Sequence, residues 1–113
     1  QPVPSVNSTS GTYWNFWVPI VQAADSSIDL YHVMAYDNWY DGLAEGSLNY
    51  FQDVYLNWVN KPSSYCVGCA PIANFTGVNA SKLVMGVMAS NSAGSTAPTG
   101  QVIDQFQAWL KQN

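Results

Sequence analysis

The segment Ile28 to Tyr36, IDLYHVMAY, constrains the fold more than any other part of the chain. Its residues are nearly all apolar or compatible with a β-strand. This composition is typical of a parallel strand that is covered on both faces, because a half-exposed strand alternates apolar with polar residues. A second segment of this type, KLVMGVMA, spans residues 82–89. The sequence therefore predicts parallel strands over 28–36 and 82–89.

Helical patterns surround these two strands. Apolar residues spaced three and four apart predict helices over about 47–60 and 101–112, and Ser47 and Thr99 are suitable N-caps for them. Pro19 suits the first turn of a shorter helix over about 18–24. Strands that alternate with helices indicate an α/β fold with parallel crossovers.

The number of strands bears on whether the fold is closed. Two parallel strands cannot form a sheet with both faces covered, and a (β/α)₈ TIM barrel takes about 250 residues. The chain has 113 residues. We therefore expect residues 1–113 to form part of a larger layered domain.

Charge and hydropathy exclude two classes of partner. The chain has three lysines, no arginine and a net charge of −4, whereas proteins that bind nucleic acid need clustered cations. We expect neither nucleic acid nor an anionic membrane surface as a partner. No apolar run reaches the roughly 18 residues that span a bilayer.

Two motifs indicate an extracellular protein. The sequons at Asn7, Asn74 and Asn79 predict N-glycosylation, although a chain this rich in Ser and Thr also produces sequons by chance. Cys66 and Cys69 form CVGC, which fits a disulfide, a redox pair or half of a zinc site. The single histidine cannot complete a zinc site and the motif lies in a Pro-bounded loop, so a disulfide is favoured and no metal is expected.

Ligands of parallel α/β folds bind at the carboxyl ends of the strands. The candidates after the first predicted strand are Tyr36, Asp37, Asn38 and Trp39. After the second strand come Ser90 and Asn91, with Ser92 beside them. An aromatic ring stacks on a sugar ring while carboxylates and amides bind its hydroxyls, so the set suits carbohydrate. Each residue also has a structural explanation, with Tyr36 in the core, Asp37 in a turn and Trp39 on a rim.

The stretch YHVMAYDNW, residues 31–39, resembles the sixth-strand motif of glycoside hydrolase family 18, in which an apolar strand ends in M-x-Y-D. Met34, Tyr36 and Asp37 lie at its key positions. The segment SKLVMGVMASNSAGS resembles the family's seventh strand, with Met88 in place of the usual proline. The aromatic segment YWNFWVPIVQAAD resembles the helix before strand six. The resemblance runs from about the end of strand five to helix seven, and the D-x-x-D-x-D-x-E motif of strand four is absent.

The resemblance implies a secreted chitinase or chitinase-like protein that acts on β-1,4-linked N-acetylglucosamine polymers. In this family the substrate's own N-acetyl group attacks the anomeric carbon. Tyr36 and Asp37 would orient that group as catalytic residues, and Met34 would line the pocket. The general acid and the rest of the barrel would come from residues outside this chain, and no cofactor is expected. A non-catalytic lectin and a secreted structural glycoprotein remain alternatives.

Overall fold

The computed structural model describes residues 17–36, 43–65, 71–92 and 94–113. Five regular elements span these residues, in the order α1, β1, α2, β2, α3. Their bounds are Trp17–Ala24 for α1, Tyr31–Met34 for β1, Leu48–Trp58 for α2, Leu83–Gly86 for β2 and Gly100–Leu110 for α3. Short 3₁₀ helices precede both strands, at Asp25–Ser27 and Ala80–Lys82.

The two strands form a parallel sheet. Tyr31 pairs with Leu83, and the register continues to Met34, which pairs with Gly86. A further backbone hydrogen bond of 2.9 Å joins the Ala35 amide to the Gly86 carbonyl. The prediction of an α/β organisation is confirmed to the extent that helices alternate with two parallel strands. Among the described residues the sheet has two strands and does not close into a barrel.

Both strands are shorter than the predicted ranges 28–36 and 82–89. At the start of β1, the amide of Ile28 is bonded to the carbonyl of Asp25 in the 3₁₀ helix, and Leu30 is exposed. Lys82 belongs to the second 3₁₀ helix. Apolar composition overestimated the length of the strands, because it does not show that the residues before each strand form 3₁₀ turns.

The three helices begin close to their predicted positions. The Ser47 hydroxyl accepts a hydrogen bond from the Tyr50 amide, and the Thr99 hydroxyl accepts one from Val102, so both predicted caps are confirmed. The helix α2 ends two residues early because Asn60 adopts a left-handed φ of 54°. The side-chain amide of Asn60 donates to the carbonyls of Ile72 and Phe75, and these hydrogen bonds hold the following loop against the end of α2.

The main core lies between one face of the sheet and the helices α2 and α3. Val33 and Ala35 of the β1 segment are buried there. The helices contribute buried apolar side chains to the same cluster, namely Tyr50, Phe51, Val54, Tyr55, Leu56, Val59 and Phe106. A second cluster joins α1 to the loop before β2 through Val18, Val21, Phe75 and Val78. Tyr31 packs against this second cluster.

The opposite face of the sheet is not covered by the described helices. His32 is exposed, and Val84, its partner in β2, is 37% exposed. Met34 and Tyr36 lie on this face by alternation and are half-buried. We call His32, Met34, Tyr36, Val84 and Gly86 the open face. The sequence predicted cover on both faces, and within the described ranges it is present on one.

A buried carboxylate connects α2 to the loop that follows it. Asp53 has no exposed surface and accepts hydrogen bonds from Asn57 Nδ2, at 3.1 Å, and from the Ser63 hydroxyl. A buried charge is tolerated where such partners replace water. The bond to Ser63 fixes the path of the chain beyond α2.

Across the described ranges, no helix has the length and apolar character that crossing a membrane would require.

Candidate functional site

The carboxyl end of β1 places Tyr36 beside β2. A Cβ atom built on Gly86 would lie 3.8 Å from Cε1 of the Tyr36 ring and 3.2 Å from the carbonyl oxygen of Val33. The edge of the Tyr36 ring is therefore at van der Waals distance from the Cβ position of residue 86, and the tighter contact there is with the Val33 carbonyl oxygen. Tyr36 is half-buried, so part of the ring remains accessible on the open face.

The loop after β2 reaches this same end of the sheet. Ser90 and Asn91 are both exposed there. Asn91 Oδ1 accepts a hydrogen bond of 2.8 Å from the amide of Ala97, which closes the loop on itself. The acceptor of Asn91 is thus engaged by the loop backbone, whereas its side-chain Nδ2 forms no hydrogen bond within the part of the chain that the structure describes. This residue orders the loop and still presents a donor.

A tight turn forms the tip of this loop. The amides and carbonyls of Ser92 and Ser95 bond reciprocally, at 3.2 and 3.1 Å. Gly94, within the turn, has a φ of 87°, a left-handed conformation that favours glycine.

The loop before α2 packs backbone to backbone against the loop before α3. A Cβ atom on Gly46, whose φ is +81°, would lie 2.7 Å from the carbonyl oxygen of Thr96 and 3.2 Å from that of Ala97. Only glycine permits this approach without displacement. The loops that follow β1 and β2 are therefore held together at the carboxyl end of the sheet, and we call residues 43–47 together with 94–97 the rim.

The structure brings some of the predicted site residues to one end of the sheet. Met34 and Tyr36 share the open face at the carboxyl end of β1, and Ser90 and Asn91 lie beyond the carboxyl end of β2. Asp37, Asn38 and Trp39 lie outside the described residues. The same is true of Cys66, Cys69 and Asn7, so the predicted disulfide and the first sequon are not described. Asn74 and Asn79 are described and exposed.

Sequence reasoning missed two residues that shape this end of the sheet. Gly86 was predicted only as part of a strand motif, although a Cβ there would approach the Val33 carbonyl oxygen to 3.2 Å and contact the Tyr36 ring. The second residue is Gly46, whose backbone lies close to Thr96 and Ala97. A glycine inside an apolar strand is a recognised signal of close approach by another group, and it could have indicated Gly86.

The amino end of the sheet carries an ion pair and a hydrogen-bonded tyrosine. Tyr31 donates a hydrogen bond of 2.9 Å to Asp25 Oδ1, and the Lys82 ammonium lies 3.2 Å from Asp25 Oδ2. The bond from Tyr31, and next the one from Lys82, lower the pKa of Asp25. Burial, and next the bond to Asp25, raise the pKa of Tyr31 to about 12. These three residues, the amino-end clamp, join the segments that enter β1 and β2.

This clamp has the features of a structural element. All its members precede or begin the strands, which places them at the end opposite Tyr36 and Ser90. In parallel α/β barrels, residues at the amino end of the strands serve stability, whereas ligands bind at the carboxyl end. No group of three or more potential metal ligands occurs among the described residues.

Comparison with protein-family models, with curated proteins and with solved structures finds no match to this chain.

Proposed function

We propose that the chain is part of a secreted, chitinase-like (β/α)₈ barrel of glycoside hydrolase family 18 type. In this proposal the carboxyl ends of β1 and β2 contribute to a site for β-1,4-linked N-acetylglucosamine polymers. The observation that carries the proposal is the position of Tyr36. Its ring lies next to Gly86 at the carboxyl end of a parallel sheet, on the face that the described helices leave open.

The arrangement of the sheet supports the barrel part of the proposal. In a TIM barrel, helices cover the outer face of every strand and the inner face points to the barrel interior. Here α2 and α3 cover the face with Val33 and Ala35, while Met34 and Val84 lie on the other face. Neighbouring strands would extend the sheet and enclose the open face.

The chemistry of Tyr36 supports the site. A phenol hydroxyl at the base of a sugar pocket can donate a hydrogen bond to the carbonyl of an N-acetyl group. If that group attacks the anomeric carbon, the bond holds it in line and stabilises the charge that develops on it. Asp37, the next residue in the sequence, is the candidate for binding sugar hydroxyls or for orienting the N-acetyl group. The general acid would be supplied by strand four of the complete protein.

A chitinase-like lectin would use the same site without hydrolysis. Binding and turnover therefore have to be measured separately. The test is titration of the complete protein with chitotetraose, followed by tryptophan fluorescence and calorimetry, together with a hydrolysis assay. A response in binding and in hydrolysis supports the enzyme, and binding without hydrolysis supports the lectin. No response in either binding assay contradicts the carbohydrate site.

Two matched tyrosine variants locate the site. Tyr36→Phe is expected to lower kcat by about 10²-fold, as removal of one preorganised donor does, with a smaller effect on binding. Tyr31→Phe removes a hydroxyl from the amino end of the same strand and is expected to leave kcat unchanged. Equal effects of the two variants would show that the loss arises from a damaged strand and would contradict the assigned role of Tyr36.

A further inference from the structure

Two sequons lie in the described loop between α2 and β2. They are Asn74-Phe75-Thr76 and Asn79-Ala80-Ser81. Asn74, Thr76, Asn79 and Ser81 are all exposed, while Phe75 is 8% exposed and packs in the second apolar cluster. The buried ring fixes this loop on the protein and turns the asparagine and the hydroxyl residue on either side of it toward solvent.

The side-chain nitrogens of these two asparagines differ from those of other asparagines in the fold. Asn57 Nδ2 donates to the carboxylate of Asp53, and Asn60 Nδ2 donates to the carbonyl of Ile72, so both nitrogens are engaged in hydrogen bonds within the fold. Asn79 uses Oδ1 to accept from the amide of Ser81 at 3.0 Å and from its hydroxyl at 2.9 Å. In the described part of the chain, Nδ2 of Asn74 and of Asn79 donates no hydrogen bond. A glycan on either nitrogen would displace no hydrogen bond among the described residues.

Backbone geometry also suits both positions. Asn79 caps the 3₁₀ helix through Oδ1, an atom that glycosylation leaves in place. Asn74 has a φ of 61°, a left-handed conformation that asparagine tolerates better than most residues. Its carbonyl accepts a hydrogen bond of 2.7 Å from Gln22 of α1, so the turn is held by its backbone and not by the side chain.

Both sequons lie at the amino end of the sheet. Asn79 immediately precedes the 3₁₀ helix that leads into β2, and Asn74 contacts α1, which leads into β1. Because the strands are parallel, Tyr36 and the loop with Ser90 lie at the opposite end. Strands rise about 3.3 Å per residue, so even these short ones separate the two ends by more than a turn of helix.

We propose that Asn74 and Asn79 carry N-linked glycans that cover the amino end of the sheet and leave its carboxyl end accessible. The reaction needs an oligosaccharide diphosphate lipid as donor. The Asn Nδ2 forms a bond to the anomeric carbon, the bond from that carbon to the diphosphate oxygen breaks, and the amide loses one proton as the lipid diphosphate leaves. The proposal concerns modification of the protein and does not depend on its sugar ligand.

The test is expression of the full chain through a eukaryotic secretory pathway, with intact mass before and after peptide N-glycosidase. Thr76→Ala and Ser81→Ala are each expected to remove the mass of one glycan, and Thr76→Ser is the matched control that keeps its sequon. Because the glycan is attached in the cell, its loss can be scored on denatured protein whether or not a variant folds. Unchanged mass in either alanine variant would overturn the assignment of that site.

Hydrogen exchange tests where the glycans lie. Removing them from the folded protein is expected to change exchange in residues 22–31 and 71–82, and to leave residues 87–99 unaffected. A change confined to residues 87–99 would overturn the placement, since the glycans would then lie near the carboxyl end.

Discussion

Replacing Gly46 with alanine tests the close packing of the rim. The new methyl group has to enter at 2.7 Å from the carbonyl oxygen of Thr96, which is closer than real Cβ atoms approach backbone oxygen. The residue also has to keep a φ of +81°, which alanine adopts at a cost of about 1–2 kcal/mol. Overpacking of a fixed environment adds about 1–3 kcal/mol. We therefore expect Gly46→Ala to lower the free energy of unfolding by about 2–5 kcal/mol.

Two other glycines separate the two contributions. Gly94 has a φ of +87° with open space around its Cβ position, so Gly94→Ala is expected to show the conformational cost alone, about 1–2 kcal/mol. Gly100 begins α3 with open space and a φ outside the left-handed region. Gly100→Ala is expected to be neutral or to stabilise by up to about 1 kcal/mol, because alanine is the better helix former.

The assay is urea unfolding of the complete protein, monitored by tryptophan fluorescence, for the three variants and the parent. The order of stability is expected to be Gly100→Ala, then Gly94→Ala, then Gly46→Ala as the least stable. If Gly46→Ala lowers the free energy of unfolding no more than Gly94→Ala does, the two loops do not approach closely and the rim is not fixed.

Three further predictions concern the structural groups. Asp53→Ala removes two hydrogen bonds to a buried carboxylate, from Asn57 and Ser63, each worth about 1.5–3 kcal/mol, and is expected to lower the urea midpoint strongly. The control Asp104→Ala changes an exposed residue of α3 and is expected to have little effect. Equal midpoints for the two variants would contradict the hydrogen-bond network around Asp53. Because the pKa of Asp25 is lowered in the folded state, Asp25 contributes stability above about pH 4 that is lost as pH falls through the folded pKa. Asp25→Asn should therefore flatten the acid limb of a Tm-against-pH curve. The raised pKa of Tyr31 contributes stability that is fully present below about pH 10 and is lost as pH rises through about 12. Tyr31→Phe should therefore flatten the alkaline limb of the Tm-against-pH curve. An unchanged alkaline limb would contradict the role of Tyr31 in the amino-end clamp.

The sequence predicted the order and type of the elements because their signals are local. The hydroxyls of Ser47 and Thr99 cap the helices that the apolar spacing indicates. Alternation along β1 places Val33 and His32 on opposite faces, but the prediction that both faces are covered holds for buried Val33 and not for exposed His32. These properties depend on neighbours within a few residues, which a sequence displays directly.

Contacts between distant segments could not be predicted in the same way. The bond from Ser63 to Asp53 and the packing of Gly46 on Thr96 depend on how loops return after a helix. The clamp joins Asp25 to Lys82, which are 57 residues apart in the chain. At the candidate site, the sequence placed Tyr36 at a strand end but did not predict that its ring lies next to Gly86, because no local pattern specifies which residue of the neighbouring strand it meets.

The solution state of residues 1–113 by themselves tests whether this chain is part of a larger barrel. An open face with exposed Val84, and strands without further partners among the described residues, would leave apolar surface and unpaired strand edges in contact with water. The measurement is size-exclusion chromatography with light scattering on residues 1–113, followed by calorimetry. If the chain is part of a barrel, an associated or molten species is expected, and it should become monodisperse when the remaining strands and helices are co-expressed. A well-dispersed monomer with a sharp cooperative melt would contradict it, and would indicate a self-contained α/β domain.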